Sequence, residues 1–141
     1  MATRSIRMRL ILPLAGMAML QGAPAWAQAA DRSIGVWSNP QNSVHVRSDH
    51  CGKSMCGTVV WANDKAKADA RKAGTPDIIG LQLFRDFSRD KNGEWRGKVF
   101  VPDIRKTFHG TIRIIDENTL AGTGCLIGRV GCRTQTWKRI G

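Results

Sequence analysis

The sequence has no apolar run long enough to cross a bilayer, which takes about 20 residues. Its one candidate, residues 10–20, has 11 residues and is interrupted by Pro13. The usual signs of catalysis are also missing. There is no Gly-x-Ser-x-Gly elbow, no His-Glu-x-x-His pair and no phosphate-cradling glycine loop. Acids are scarce, 11 against 22 lysines and arginines, and histidines number only three. No internal repeat is present, and the sole biased stretch is the Ala/Lys-rich 62–74. These absences exclude a membrane-spanning chain and a multidomain machine, and they leave an enzymatic reading without a motif to rest on.

What is present begins with an export pattern. Arg4, Arg7 and Arg9 precede the apolar run, and Ala25-Trp26-Ala27 follows as a small-x-small cleavage site. This layout predicts a secretory signal over 1–27, cut after Ala27, and a periplasmic or secreted product. Neither a nearby cysteine nor a twin-arginine pair suggests a lipid-modified or alternative route. The remainder, 28–141, has 114 residues and fits a single domain. Three arginines leave with the signal, so the net charge falls from +11 to +8.

All four cysteines, Cys51, Cys56, Cys125 and Cys132, lie in that remainder. An even count in an oxidising compartment reads as disulfides. Three pairings are open. Each local pair brackets a turn by composition, which favours Cys51–Cys56 and Cys125–Cys132. A metal site would need His50 or His109 as further ligands, and exported thiols oxidise. No metal and no cofactor are expected.

From residue 33 onward short segments alternate apolar and polar positions. Strands are predicted at 34–38, 44–47, 58–61, 78–84, 94–101, 107–115, 119–125 and 132–140. Gly80 is read as a bulge inside the fourth. Residues 62–74 break the pattern as a solvated helical or loop excursion, with Asn63 or Asp64 at its start and Gly74 at its end. About eight consecutive strands are best buried by closing into an up-and-down antiparallel β-barrel, which removes exposed edges. A two-sheet sandwich is the rival. The expected architecture is therefore all-β, with room inside for side chains or one small ligand.

His45 and His109 fall on polar strand faces and His50 in a turn, while most acids sit in turns and serve the local backbone. Glu94 alone is read as an acid within a strand, and one carboxylate makes no acid–base pair. The chain is therefore read as non-enzymatic. Nucleic-acid binding is not expected, because the basic residues are dispersed and the aromatics take apolar positions. Trp37, Trp61, Trp95 and Trp137 are core residues first. With Phe108 and Gln135 they are also candidate liners of an apolar pocket with a few polar groups. Lysines and arginines of 62–74 are candidate gates for an anionic head group.

Gly35-Val36-Trp37 near the start and Trp137-Lys138-Arg139 at the end resemble the calycin and lipocalin arrangement. In such barrels Gly-x-Trp closes the floor and a basic side chain from the last strand packs on the tryptophan, implying Gly35, Trp37 and Arg139 here. Further marks follow in order: Cys51-Gly52, Cys56-Gly57-Thr58-Val59-Val60-Trp61, Ile79-Gly80-Leu81 and Gly93-Glu94-Trp95. Then come Pro102-Asp103, Phe108-x-Gly110, Leu120, Gly124-Cys125 and Arg133-Thr134-Gln135-Thr136-Trp137-Lys138-Arg139. This succession resembles an exported bacterial family known as domain of unknown function 2147. The resemblance implies a lipocalin-like barrel with no assigned reaction and no catalytic residue to carry over. The family often has tyrosine where Phe108 stands, and an Asp/Asn/Pro-rich segment in place of 62–74. The expected function is binding of a small lipophilic or amphipathic molecule by a monomer. The alternative is an interaction module whose basic surface docks on an anionic envelope polymer, lipid surface or partner protein.

Overall fold

The computed structural model describes residues 32–127 and 130–141. The expected signal at 1–27, with its cleavage site, lies outside them. Eight antiparallel strands follow one another around a closed barrel. They are β1 (Gly35–Ser38), β2 (Val44–Cys51), β3 (Ser54–Ala62), β4 (Gln82–Arg89), β5 (Trp95–Val101), β6 (Lys106–Asp116), β7 (Thr119–Ile127) and β8 (Val130–Arg139). One helix, α1 (Asp64–Lys72), lies between β3 and β4. The barrel expected from the alternation is the one found, and the sandwich is not.

Up-and-down order fixes two ends. The β2–β3, β4–β5 and β6–β7 turns and the chain terminus of β8 share one end. The β3–β4, β5–β6 and β7–β8 connections share the other. The first end is closed by side chains. Trp37, Val46, Met55, Val59 and Phe87 are fully buried there and in the middle of the barrel, with Trp95, Ile112 and Leu120 nearly so. Gly97 and Gly110 have no room for a side chain: a Cβ at Gly97 would stand 2.6 Å from the Phe87 ring, and one at Gly110 2.6 Å from Val99. Apolar burial of this kind supplies the main driving force, about 1.5–3 kcal/mol per large side chain.

Both disulfides are local, Cys51–Cys56 and Cys125–Cys132, as favoured among the three pairings. The second joins directly opposed residues of β7 and β8. Bridges closing loops this short stabilise by roughly 2 kcal/mol each in the chain-entropy model.

At the β4–β5 turn Asp90 organises the reversal. Its Oδ1 accepts from the backbone N–H of Asn92 and Glu94, at 2.8 and 3.0 Å, and its Oδ2 from Arg96 Nε at 2.9 Å. The Arg96 hydrogen bond, aided by those backbone donors, holds the Asp90 carboxyl below its ordinary value. A depressed carboxyl stabilises the fold fully above the unfolded-state pKa, and that share is lost as pH falls through the folded one. Asp90→Asn should therefore flatten the loss of stability below about pH 4, seen as a shallower dependence of the urea midpoint on pH. An unchanged slope would remove Asp90 from the acid limb.

Three sequence expectations are corrected. The strand expected at 78–84 begins only at Gln82. Residues 78–81 form a turn in which Asp77 Oδ1 accepts from the Ile79 N–H, and Gly80 takes φ 82° there rather than a bulge in a strand. Ile78 is apolar because it is buried in the core, not because it is a strand residue. The bulge falls later, between Arg85 and Ser88, with Asp86 at φ 55°; it lets both Phe84 and Phe87 be buried, three residues apart. Glu94 precedes β5 instead of lying within it, and it pairs with Arg96.

The helix is also less solvated than its composition suggests. Asn63 caps it, Oδ1 accepting from the Ala66 N–H at 2.8 Å. Asp64 in the first turn and Arg71 and Lys72 in the last suit the helix dipole. Ala70 is completely buried and Ala66 packs beside the core, so alanines form the docking face that lay hidden among lysines.

Candidate functional site

The closed end rests on Trp37. Its Nε1–H lies 3.1 Å from Ser48 Oγ and 3.3 Å from the Ser33 carbonyl. The Arg139 guanidinium stacks 4.2 Å from the indole centroid. Its nitrogens donate to the carbonyls of Glu117, Ile34 and Arg32, at 2.6, 2.7 and 2.5 Å. Gly35 is required for this arrangement: at φ 151°, a Cβ would lie 2.0 Å from Arg139 Nη1. One side chain thus joins the first strand, the last strand and the β6–β7 turn. Gly35, Trp37 and Arg139 form the floor that the motif implied.

The other end is open. A cavity of about 510 Å³ enters between β4–β8, with Phe84, Ile112 and Trp137 at its base and Val99, Val101, Ile104, Phe108 and Leu126 on its walls. That volume is within the range of small-molecule sites. The space exists because β7 places two glycines inward. A Cβ at Gly124 would meet nothing within 4 Å, and one at Gly122 would only reach Trp137 at 3.8 Å. Glycine therefore does two opposite things in this barrel. At 97 and 110 it yields to a neighbour; at 122 and 124 it leaves a hollow.

Two polar side chains reach the cavity from β8, Arg133 and Gln135. They share the inward parity of Trp137, two and four residues along the strand. Neither side chain forms a hydrogen bond or ion pair among the described residues. Arg133 is the one ionisable group among the cavity-lining residues. The arrangement is an apolar cup with a cation and an amide near its rim. It can bury a hydrocarbon or ring system and hold a polar or anionic group beside it.

The six candidate liners divide. Phe108, Gln135 and Trp137 are brought together around the cavity. Trp37 is in the floor, and Trp95 is a core residue outside the cavity lining, with the Arg89 guanidinium 5.3 Å from its ring centroid. Trp61 is 42% exposed and stacks on His45 with centroids 4.3 Å apart. A register shift explains its position. His45 faces Trp61 while Val46 faces Val59, so Val60 is an extra residue and the β3 alternation reverses. The helix cations expected as gates, Lys65, Lys67, Arg71 and Lys72, do not line the cavity; Lys65 is paired with Asp69. Arg133 takes that place, and its spacing from Gln135 and Trp137 was the signal that could have found it. No group of three or more metal-ligating side chains occurs among the described residues.

Comparison with known proteins agrees with this geometry. A family model described as an uncharacterized protein conserved in bacteria, domain of unknown function 2147, matches residues 35–139. No curated protein matches the chain. Among solved structures, it is similar to protein HP1028 from the human pathogen Helicobacter pylori, described as belonging to the lipocalin family. The TM-score is 0.58 at 15% identity, over 77% of this chain and 82% of that one. At that identity the likeness is one of fold.

Proposed function

Since the chain belongs to the bacterial domain-of-unknown-function family 2147 and folds as a lipocalin-like barrel, we propose that it binds a small lipophilic or amphipathic molecule in the open cup. The observation that carries this reading is the glycine-walled cavity, apolar at its base and equipped with Arg133 and Gln135 near its rim. The apolar portion of the ligand rests on Trp137, Phe84 and Ile112, and a polar or anionic head lies beside Arg133. A lone cation among the lining residues gives no acid–base pair, which favours binding without catalysis. The two disulfides fit an extracellular or periplasmic setting, and the signal pattern at 1–27 makes export the route to it.

Titration with a long-chain fatty acid and with a lysophospholipid tests the proposal through tryptophan fluorescence. Trp137 is 9% exposed at the cavity base, so occupancy should quench or blue-shift its emission in a saturable way. Emission that stays constant with both probes, together with no retained probe after gel filtration, would reject it.

A further inference from the structure

Exposed apolar side chains are distributed unevenly over this barrel. Eight large ones are exposed among the described residues, and six of them, Trp61, Ile79, Ile104, Leu126, Ile127 and Val130, lie at the open end. The most exposed are Ile127 at 78%, Val130 at 73% and Leu126 at 64%. They occupy the far end of the β7–β8 hairpin, where Ile127 is paired with Val130. The Cys125–Cys132 bridge clamps the hairpin just below them. Such side chains on a covalently braced projection are held out in water, at a cost the fold does not need.

Charge at the same end has one prevailing sign. Arg105 lies in the β5–β6 turn, Lys106 opens β6 and Arg133 stands on β8. All three are exposed, and none forms a salt bridge among the described residues. Lys72, at the end of α1, instead borders Asp69 and Asp103. Exposed aliphatic side chains with unpaired lysine and arginine at the same end of the barrel suit the boundary between acyl chains and anionic headgroups. A second protein surface would be expected to carry aromatic anchors; the most exposed residues here are aliphatic, and Trp61, the exposed aromatic at this end, is already stacked on His45.

We propose that Leu126, Ile127 and Val130, together with Ile104, enter the surface of an anionic lipid bilayer and set the open end of the barrel against the membrane. Leu126 and Ile104 belong both to the exposed patch and to the cavity wall. A molecule leaving the bilayer therefore meets the cup without crossing water. The inference rests on the binding function proposed above for its purpose, but not for its test.

Co-sedimentation with vesicles examines it directly. The purified protein should sediment with phosphatidylcholine–phosphatidylglycerol vesicles, much less with phosphatidylcholine alone, and progressively less as salt rises. The double variant Ile127→Asp/Val130→Asp should lose at least about tenfold in partitioning, the equivalent of one aliphatic side chain. Its far-UV spectrum and its affinity for soluble fatty acid should stay unchanged. Absence of sedimentation, or sedimentation equal in the double variant, would overturn the proposal. So would a dimer in solution that the double variant abolishes, which would assign the patch to a second copy of the chain. Failure of fatty-acid uptake with vesicle binding intact would instead count against the cavity alone.

Discussion

Trp37→Ala should destabilise the protein by roughly 3–5 kcal/mol, the range for removing a large aromatic from a packed core. Domains of this size hold about 5–15 kcal/mol in all, so a sizeable share of the total depends on one floor residue. The effect has three sources. The indole is fully buried, so its removal leaves a hole with no route to solvent. Its N–H partners, the Ser33 carbonyl and Ser48, lose a donor. Arg139 loses the ring it stacks on while still tied to three carbonyls. Closure itself is exposed to this loss, because β1 and β8 share only two directly paired positions, Trp37↔Arg139 and Ser38↔Lys138. Trp61→Ala is the internal comparison: the same residue type, but outside the barrel and 42% exposed, should cost about 1 kcal/mol or less. Equilibrium urea unfolding followed by far-UV circular dichroism distinguishes the two. Equal losses would mean that the floor is not where the barrel is held shut.

The second large effect concerns binding. Gly124→Phe should fill the cavity and weaken uptake of a fatty acid or lysophospholipid by at least about tenfold, or 1.4 kcal/mol. Stability should change by less than about 1 kcal/mol, because the ring enters space that no side chain uses. The reason is local. A Cβ at Gly124 has no neighbour within 4 Å, and no positive φ makes the position strained. A comparable change at Gly110 would be different, since a Cβ there stands 2.6 Å from Val99. Thermal unfolding and fluorescence titration on the same sample separate loss of binding from loss of fold. Unaltered affinity in Gly124→Phe would place any ligand elsewhere on the molecule.

The contrast between these glycines also shows what the sequence could and could not convey. The barrel was legible because period-2 alternation in β2, β5 and β6 reports a sheet with one buried face. The floor was legible because Gly35, Trp37 and Arg139 form a spaced motif. Trp61 and the fourth strand depart from the expectation for different reasons: a bulge reverses the parity before Trp61, whereas Ile78 is a core residue in a turn that mimics the start of a strand. A bulge shifts parity by a residue, as at Val60 in β3, and nothing in the local composition marks it. Three cavity liners, Phe108, Gln135 and Trp137, were legible, but the hollow between them was not. It is built from side chains that are absent, and a glycine that makes room looks the same in sequence as one that has none to give. Arg133 shares the parity of Gln135 and Trp137, but a single cation on a strand stands out less in composition than the dense lysines and arginines of α1.

The central claim is that the open cup is occupied by a small molecule in the working protein. Native mass spectrometry of the protein recovered from its own cell compartment, beside Gly124→Phe handled identically, tests it most directly. The claim predicts one extra non-covalent mass on the wild-type chain, extractable into organic solvent, and its loss from Gly124→Phe. The bare chain mass in both samples, or the same adduct retained in both, would contradict it.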